Sequence, residues 1–500
     1  MLQLGEALPD LPAFQNPGLV RATGCLPGSP LHYKPWPTLQ VTTNALTGRA
    51  LGALGGLSNS GAAFAFAGDP TKLYRLTGLT YSDVSRTSGG AYTISGTNKW
   101  EFGIFRNRMI ATNLDDDVQI FTMGTDSNFR AMGTNCPKAK FFAVWRDFPV
   151  LGHTDDSTDG EVAFRIWWGP PGNPEGNWTP NVDTRVGRRT LERAHQVMGL
   201  VSGDRGLVIT KKSIYVATFV GGSVIWQLDE TIKDKGCVAS GSIASDLRRT
   251  FFLAEDGWYV TDGFEITNIG HLKFNEFFLR DAKSDSYEYM RAMVDPERTL
   301  LLVAYVAQDA DSTIPNRIMA YDWEQQRVTF IDETVEEFLQ SLQPGQTLEQ
   351  ISALFTDLEA ITPSLDSRFW AGGAVVNGAF NADHKSGTFG GPYAAAYFET
   401  GEAQLGQGQG TLGGTRAFVS GIRPLTDAAA PTVRIGARGL DSPSESTVTW
   451  TGYESPESRT GMAPFRSDAW YHRVAMSIPA GADWSEARGF DIAAEPSGSV

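Results

Sequence analysis

The sequence predicts an all-β protein, a β-propeller of about six or seven blades with six the favoured number. Three observations predict it. Short apolar runs recur along the chain and are separated by turn residues. Gly and Pro are abundant, at 54 and 26 of 500 residues, and aromatic residues make up 11%. Three or four apolar runs fall within each stretch of about 40 to 50 residues, the length of one blade.

The composition limits the partners that we expect. The chain carries 42 Lys and Arg against 57 Asp and Glu, for a net charge of −15. Tight nucleic-acid binding needs a basic face, so this balance argues against it. It is compatible with a surface past which DNA slides without binding specifically, because like charges repel. With 41% hydrophobic and 20% charged residues, the composition is that of a globular protein.

The spacing of the cysteines and the shortness of the apolar runs indicate the cellular compartment in which the protein folds. Cys25, Cys136 and Cys237 are far apart in sequence, so neither a disulfide framework nor a CxxC zinc site is predicted. Folding in a reducing cytoplasm is expected. The N-terminus, MLQLGEALPD, lacks the pattern of a signal peptide, and runs such as 300–307 are too short to span a bilayer. We therefore expect no membrane segment.

The order of the apolar runs predicts the domain organisation. Residues 1–39 are predicted as an N-terminal arm, 40–395 as the propeller, 396–415 as a Gly/Gln-rich linker and 416–500 as a C-terminal β domain resembling a sandwich. A long series of hairpins must close on itself to hide its edges, which a propeller does.

One segment departs from the strand rhythm and predicts a helical hairpin inserted at about 333–361. Apolar residues follow helical spacing over 333–343 and again over 347–361, with Pro344 and Gly345 between them. Two interpretations stay open. The hairpin could cover a blade edge, or it could be a docking surface for a neighbouring subunit.

The motif GQGTLG (408–413) matches the pattern G-x-G-x-x-G. A dinucleotide site needs a strand before the glycines and a helix after them. Here a Gly-rich loop precedes and a strand follows, so a flexible loop is predicted. No phosphate-binding loop motif and no G-x-S-x-G motif occur in the sequence, and no cofactor is expected.

Two acidic stretches, LDDD (114–117) and HTDDSTDGE (153–161), are candidates for cation binding. Neither has the alternating pattern of an EF-hand loop, so both are predicted as hairpin tips and no metal site is predicted. The six histidines show no H-x-x-x-H spacing, which argues against a zinc protease and favours surface or packing positions. They are His32, His153, His195, His271, His384 and His472.

The stretch FFLAEDGWYVTDG (251–263) places two Asp-Gly pairs beside aromatic residues. Such a pattern can form a catalytic or metal site, or two tight turns around a buried strand. Gly accepts the positive φ that tight turns require. We predict a turn at 255–257, a strand from Trp258 to Thr261 and a second turn at Asp262–Gly263.

The densest basic segment is RVGRRTLERAH (185–195). It is predicted as a solvated short helix or turn, with a contact to an acidic neighbouring subunit as the alternative. Carboxylate pairs could also make a propeller glycosidase. The repeat S-x-D-x-G-x-x-W, which would indicate that class, does not occur. No catalytic residue is predicted, and we do not expect an enzyme.

Several blocks resemble a family of tailed-phage and prophage virion proteins, related to the tail nozzle or hub of short-tailed phages. They cover nearly the whole chain. The blocks are LPAFQNPGLVRATGC, GDPTKLYRLTG, FRNRMIATN, DFPVLGHTDD, FFLAEDGWYVTDG, NRIMAYDWEQQR, LQPGQTLEQISALFTDLEAITPSLDSRFWAGG and RAFVSGIRPL.

The resemblance implies a structural protein of the virion tail, synthesised in the host bacterial cytoplasm. It implies a homo-oligomeric ring, expected to be a hexamer, below the head-to-tail adaptor and portal complex. Tail fibres are expected neighbours, and DNA passes through the ring channel without specific binding. The rival interpretation is a receptor-binding or glycan-cleaving propeller at the tail tip, and a third is a propeller scaffold that docks fibres.

Overall fold

The computed structural model describes residues 1–29, 32–222, 224–246, 248–342, 375–406, 415–439 and 448–498. Strands dominate these residues. The described part contains one α-helix, Asn275–Asp281. Its 3-10 turns are Ala13–Gln15, Ser240–Ser242 and Ser284–Tyr289. The all-β prediction is therefore confirmed.

Within the described residues, seven four-stranded antiparallel units follow one another around an axis and form the blades. In blades 1 to 6 the innermost strand comes first in the sequence and the outermost strand comes last. Blade 1 contains Gly52–Leu57, Ala63–Gly68, Leu73–Thr77 and Thr80–Asp83, and blade 2 contains Glu101–Phe105, Arg108–Thr112, Gln119–Thr122 and Arg130–Ala131. Blade 3 contains Lys138–Trp145, Phe148–Asp156, Gly160–Trp168 and Gly187–Thr190, and blade 4 contains Val197–Val201, Gly206–Thr210, Ile214–Phe219 and Trp226–Ile232.

Blades 5 to 7 complete the circle. Blade 5 contains Ala244–Ser245, Thr250–Ala254, Gly257–Thr261 and Ile266–Asn268. Blade 6 contains Arg291–Asp295, Leu300–Tyr305, Arg317–Asp322 and Arg327–Asp332. Blade 7 contains Glu337–Leu342, Val375–Phe380, Lys385–Tyr393 and Pro37–Ala45.

Blade 7 closes the propeller with a strand from near the N-terminus. Pro37–Ala45 pairs antiparallel with Lys385–Tyr393, with Val41 opposite Gly387. The innermost strand of blade 7 also contacts that of blade 1, so the circle has no open edge. The propeller prediction is confirmed with seven blades, and the favoured count of six is wrong. Strand rhythm could not fix the count, because blade 7 combines two segments that are far apart in sequence.

The first helix predicted in the inserted hairpin is wrong. Glu337–Leu342 is a strand, and its Phe338 and Leu339 lie opposite Ala379 and Gly378. Phe338 packs between blades 6 and 7, while Leu339 packs between blades 7 and 1. A strand that is buried on both faces carries adjacent apolar residues, and these can imitate helical spacing. The second predicted helix, 347–361, lies outside the described residues.

A β-sandwich stands beside the propeller and is built from both ends of the chain. Sheet A contains Leu2–Gln3, Cys25–Ser29, His32–Pro35, Arg416–Thr426, Ala463–Ala469 and Ala487–Gly498. Sheet B contains Leu19–Thr23, Ala396–Thr400, Thr432–Arg438, Thr449–Trp450 and Tyr471–Ile478. Apolar residues of the two sheets, among them Phe398, Val433 and Phe490, share one buried core.

The sandwich takes in segments that the sequence assigned elsewhere. Residues 1–39, predicted as an arm, supply strands to both of its sheets and the first part of the strand that closes blade 7. Ala396–Thr400, predicted as linker, is a strand of sheet B, while 407–414 lies outside the described residues. Thr23 forms a parallel bridge with Phe330, which joins sheet B to blade 6. Local composition could not reveal these pairings, because their partners are hundreds of residues away.

Candidate functional site

The innermost strand of every blade begins on one face of the propeller, which we call the top face. Because the strands of a blade are antiparallel, the hairpin between its second and third strands lies there too. That hairpin carries an acidic residue in every described blade except blade 4, which has Lys211 and Lys212. The predicted acidic motifs LDDD, HTDDSTDGE and Glu255–Asp256 therefore all lie on the top face, each in its own blade. Asp262–Gly263 lies on the opposite face.

The hairpin tip of blade 3 is held by a network of four charges. Arg165 donates to Asp156 at 2.5 Å and to Asp159 at 2.7 Å, and Arg188 pairs with Asp159 at 2.8 Å. The side chains of Arg165 and Asp156 are almost completely buried. Burial raises the pKa of Asp156, but the amides of Asp159 and Thr158 and the two arginines outweigh this and hold the pKa below its usual value. The predicted hairpin tip is present, and the carboxylates of Asp156 and Asp159 serve as structural ion-pair partners.

The basic segment 185–195 contributes the fourth strand of blade 3. Gly187–Thr190 pairs with Arg165–Trp168, so the predicted short helix or turn is wrong at these residues. Arg188 lies over the Trp167 ring, with 5.0 Å from its guanidinium carbon to the ring centre. Backbone pairing with Arg165–Trp168 makes this segment a strand, and the Arg188 side chain finds partners in Trp167 and the acidic hairpin.

The acidic stretch of blade 2 fastens a long connection to its hairpin. Asp116 pairs with Arg86 at 2.9 Å, and Asp115 accepts hydrogen bonds from the Ser95 amide and the Asn98 side chain, both at 2.9 Å. These contacts tie the connection 84–100 to the top of blade 2. Asp115 and Asp116 thus act through hydrogen bonds and an ion pair within the fold.

A cleft of about 830 Å³ lies on the top face between blades 2 and 3. Its walls include Asp117, Lys138, Asp155, Trp167 and Arg188. The carboxylates of Asp117 and Asp155 have no hydrogen-bond or ion-pair partner in the part of the chain that the structure describes. They can accept hydrogen bonds from the hydroxyl or ammonium groups of a polar ligand.

Charged residues surround the propeller axis where the innermost strands begin. Arg291 is 3% exposed, and its Nε donates to Glu337 Oε2 at 2.6 Å. Glu101, Arg291 and Glu337 are the first residues of the innermost strands of blades 2, 6 and 7. Lys99 and Lys140 lie beside them and are half-buried, as is Glu101. We call these five residues the axial cluster.

The ionisation of the axial cluster responds to burial. Burial lowers the pKa of Lys99, Arg291 lowers it further, and Glu101 and Glu337 oppose these shifts. Burial also raises the pKa of Glu101, with Lys99 opposing. Both shifts favour the neutral forms, since removing a charged group from water is costly.

The stretch 251–263 forms the hairpin that its sequence predicts. Ala254 lies opposite Gly257, whose φ is +130°, and Asp256 accepts hydrogen bonds from Lys235 at 2.6 Å and Tyr259 at 2.8 Å. At the second turn, the Asp262 carboxylate accepts the amides of Phe264 and Glu265, both at 2.8 Å. The Asp262 carboxylate serves its turn, as predicted, whereas the Asp256 carboxylate binds the side chains of Lys235 and Tyr259.

The histidines occupy separate places. His384 Nδ1 lies 2.9 Å from the buried Glu336, and His153 Nε2 lies 2.7 Å from Glu161. His472 is buried in the sandwich, while His195 and His271 are exposed. His32 lies beside Ser29. The motif GQGTLG lies outside the described residues.

Across the ranges that the structure describes, no three His, Cys, Asp or Glu residues form a group that could hold a metal ion. Over the same ranges, no helix has the length and apolar character needed to cross a bilayer. All three cysteines are free.

No protein-family model matches this chain, and no curated protein is similar to it in sequence. Solved structures with a similar backbone include the WD40 domain of Pan2 from Neurospora crassa, at 9% identity over 68% of this chain and 88% of that chain with a TM-score of 0.37. The computationally designed Ika8 protein aligns at 11% identity over 70% of this chain and 99% of that chain with a TM-score of 0.35. An ancestral GH74 enzyme aligns at 10% identity over 77% and 51%, with a TM-score of 0.37. At these scores the likenesses carry no argument about function.

Sequence reasoning did not find the axial cluster or the cleft. Lys99, Glu101 and Lys140 are isolated charges in the sequence, and Arg291 and Glu337 are 46 positions apart. A weak signal existed, because a charged residue stands at the start of several apolar runs. Only the circular arrangement of the blades brings these starts together.

Proposed function

We propose that this chain is a structural virion protein, a tail nozzle or hub subunit of a short-tailed phage, which forms a ring around a channel for DNA ejection. The observation that carries the proposal is the path of residues 1–45, which supply strands to both sandwich sheets and then close blade 7. One segment thereby stabilises both domains.

A ring subunit must keep the angle between its domains constant, because every copy repeats that angle around the ring axis. Here the domains are joined by the Thr23–Phe330 bridge and by Lys273, which pairs with Glu6 at 2.7 Å. The backbone amides of Glu276 and Phe277 also donate to Asp10. Several contacts at separated points favour a rigid body over two domains on a hinge.

The charge distribution also supports a conduit. The chain has a net charge of −15, and acidic hairpins gather on the top face. An acidic surface repels the DNA backbone, so DNA can pass without being held. The sequence blocks that resemble the phage family lie in elements of the fold, such as the hairpin of blade 5 and strand Arg416–Thr426 of sheet A.

The test is the assembly state of the purified full-length chain. We expect native mass spectrometry and negative-stain images to show closed rings with an open channel, six subunits being the expected number. The same preparation should not hydrolyse polysaccharide from candidate host bacteria. A monomer or trimer that cleaves such polysaccharide would overturn the proposal.

A receptor-binding or glycan-cleaving propeller is the second candidate. The cleft between blades 2 and 3 favours it, because Asp117 and Asp155 present free carboxylates to a space that can hold a sugar ring. Replacing both residues with Asn should abolish binding of host polysaccharide if this candidate is correct. A nozzle subunit should assemble equally well with and without these replacements.

A further inference from the structure

The outer face of sheet B carries a continuous array of arginine and aromatic side chains. Cross-strand pairing places Arg21 opposite Glu399, Glu399 opposite Ala475, and Ala475 opposite Arg434. In the next row, Gly436 lies between Arg473 and Trp450. We call the array, together with Tyr397 and Tyr453, the arginine–aromatic face. Its members are Arg21, Tyr397, Arg434, Trp450, Tyr453 and Arg473.

Arg434 lies at the centre of this face. Its guanidinium carbon is 4.4 Å from the centre of the Trp450 ring and 4.9 Å from that of Tyr453. It also donates to the Tyr397 hydroxyl at 2.7 Å. Arg21 covers the Tyr397 ring at 5.4 Å. Side chains held in this way are already ordered before any partner arrives, which lowers the entropy cost of binding.

The face has unmatched positive charge. Within the two cross-strand rows that contain Arg434 and Gly436, the one carboxylate is that of Glu399, which accepts hydrogen bonds from Arg473 and Tyr397. Arg21 and Arg434 form no ion pair with any described residue. Arg21 is exposed and Tyr453 is 46% exposed, so the surface is open to a partner.

The residue types indicate a protein partner. Arg, Tyr and Trp are the residues most enriched at the energetically dominant positions of protein interfaces. A second copy of this chain offers charge complementarity, because it carries a net charge of −15. Two arginine–aromatic faces would repel each other, so the contact joins different surfaces of the two copies. A contact of that kind builds rings, whereas a self-complementary one stops at a dimer.

We propose that the arginine–aromatic face is the surface by which one copy of this chain docks on an acidic surface of the next copy. This inference rests on the proposed function, since it names the lateral contact of the ring. The face has the two properties that such a contact needs, ordered aromatic anchors and a charge opposite to that of the chain as a whole.

The experiment compares Arg21→Glu, Tyr453→Ala and their combination with the wild type, using full-length protein. The matched control is Arg205→Glu, which reverses an exposed arginine that lies 5.7 Å from the centre of the Phe264 ring on the propeller. Sedimentation velocity measures the concentration at which rings dissociate, and thermal melting verifies that each variant is folded.

We expect each face variant to raise the dissociation concentration by about tenfold or more, since residues of these types dominate interface energies. Arg205→Glu should leave it unchanged. If the folded double variant forms rings that dissociate at the same concentration as those of the wild type, the inference is overturned while the proposed ring function stands. A wild type that forms no rings would overturn both.

A titration with a fluorescent DNA duplex tests whether the face binds nucleic acid instead of an acidic protein surface. We expect no change in duplex binding between the wild type and Arg21→Glu at physiological salt. Duplex binding that Arg21→Glu abolishes, with the rings intact, would assign the face to nucleic acid and overturn the proposed docking.

Discussion

Arg327 of blade 6 lies over the ring of Tyr33 in sheet A, with its guanidinium carbon 4.4 Å from the ring centre. The same arginine donates to the backbone oxygens of Ser29 and Gly5, and the Tyr33 hydroxyl also donates to Gly5. A propeller residue thus donates to two partly buried carbonyl groups of the N-terminal segment. The pair is one of the points at which the two domains become a single unit.

Replacing Arg327 with Met should lower the free energy of unfolding by about 3 kcal/mol, because the two charge-assisted hydrogen bonds to Ser29 and Gly5 are lost together with the contact to the Tyr33 ring. Urea unfolding measures the change. The control is Arg298→Met, since Arg298 is 54% exposed and 3.8 Å from Asp295. That variant should lose less than about 1 kcal/mol. Equal losses in the two variants would contradict the structural role of Arg327.

Replacing Trp258 with Ala should destabilise the protein by about 3 to 5 kcal/mol, because its fully buried ring leaves a cavity. Trp258 packs edge-on against Phe278, with 5.4 Å between ring centres. Phe264→Ala on the same blade is the control, as Phe264 is 52% exposed and its loss should cost less than about 0.5 kcal/mol. Urea unfolding of both variants gives the comparison. A Trp258 variant of normal stability would show that its side chain does not belong to the core.

Arg291 and Glu337 of the axial cluster should be strongly coupled. Arg291→Met alone should cost about 3 to 5 kcal/mol of unfolding free energy, because it leaves the Glu337 carboxylate buried without its partner. The double variant Arg291→Met, Glu337→Met should recover much of this loss, since the Glu337 carboxylate is removed together with its partner. A double-mutant cycle in urea measures the coupling. Additive losses would mean that the two side chains do not stabilise each other.

The stability of the sandwich should fall in mild acid because of His472. Burial lowers the pKa of His472, with Asp468 opposing the shift. An unfolded histidine takes up a proton below about pH 6.5, whereas the buried one stays neutral to lower pH. The unfolded state then binds more protons, so the free energy of unfolding falls as the pH drops through this range.

Comparison of the wild type with His472→Leu at pH 7.5 and pH 5.5 isolates this contribution. The wild type should lose more unfolding free energy than the variant, by at most about 1.4 kcal/mol per pH unit. Urea midpoints at each pH give the values, and His153 and His32 titrate in both proteins. Identical pH dependence would show that His472 is accessible to protons in the folded state.

Local features of the fold followed from the sequence alone. FFLAEDGWYVTDG could be assigned correctly because Asp-Gly turn chemistry and the aromatic run act within a dozen residues. The same holds for the hairpin tips around LDDD and HTDDSTDGE. The short helix or turn predicted for the basic segment 185–195 was wrong, because Gly187–Thr190 is a strand only through its pairing with Arg165–Trp168.

The sequence by itself determined the all-β class, the propeller architecture and the turn role of the Asp-Gly pairs, because each depends on short-range patterns of apolar and turn residues. Only the tertiary structure decided the seventh blade, which needs Pro37–Ala45 to pair with Lys385–Tyr393. The same is true of the strand at Glu337–Leu342, the axial cluster and the arginine–aromatic face. Each of these features brings together residues that are distant along the chain. Such contacts produce no pattern of apolar and polar residues in the local sequence, so the sequence does not predict them.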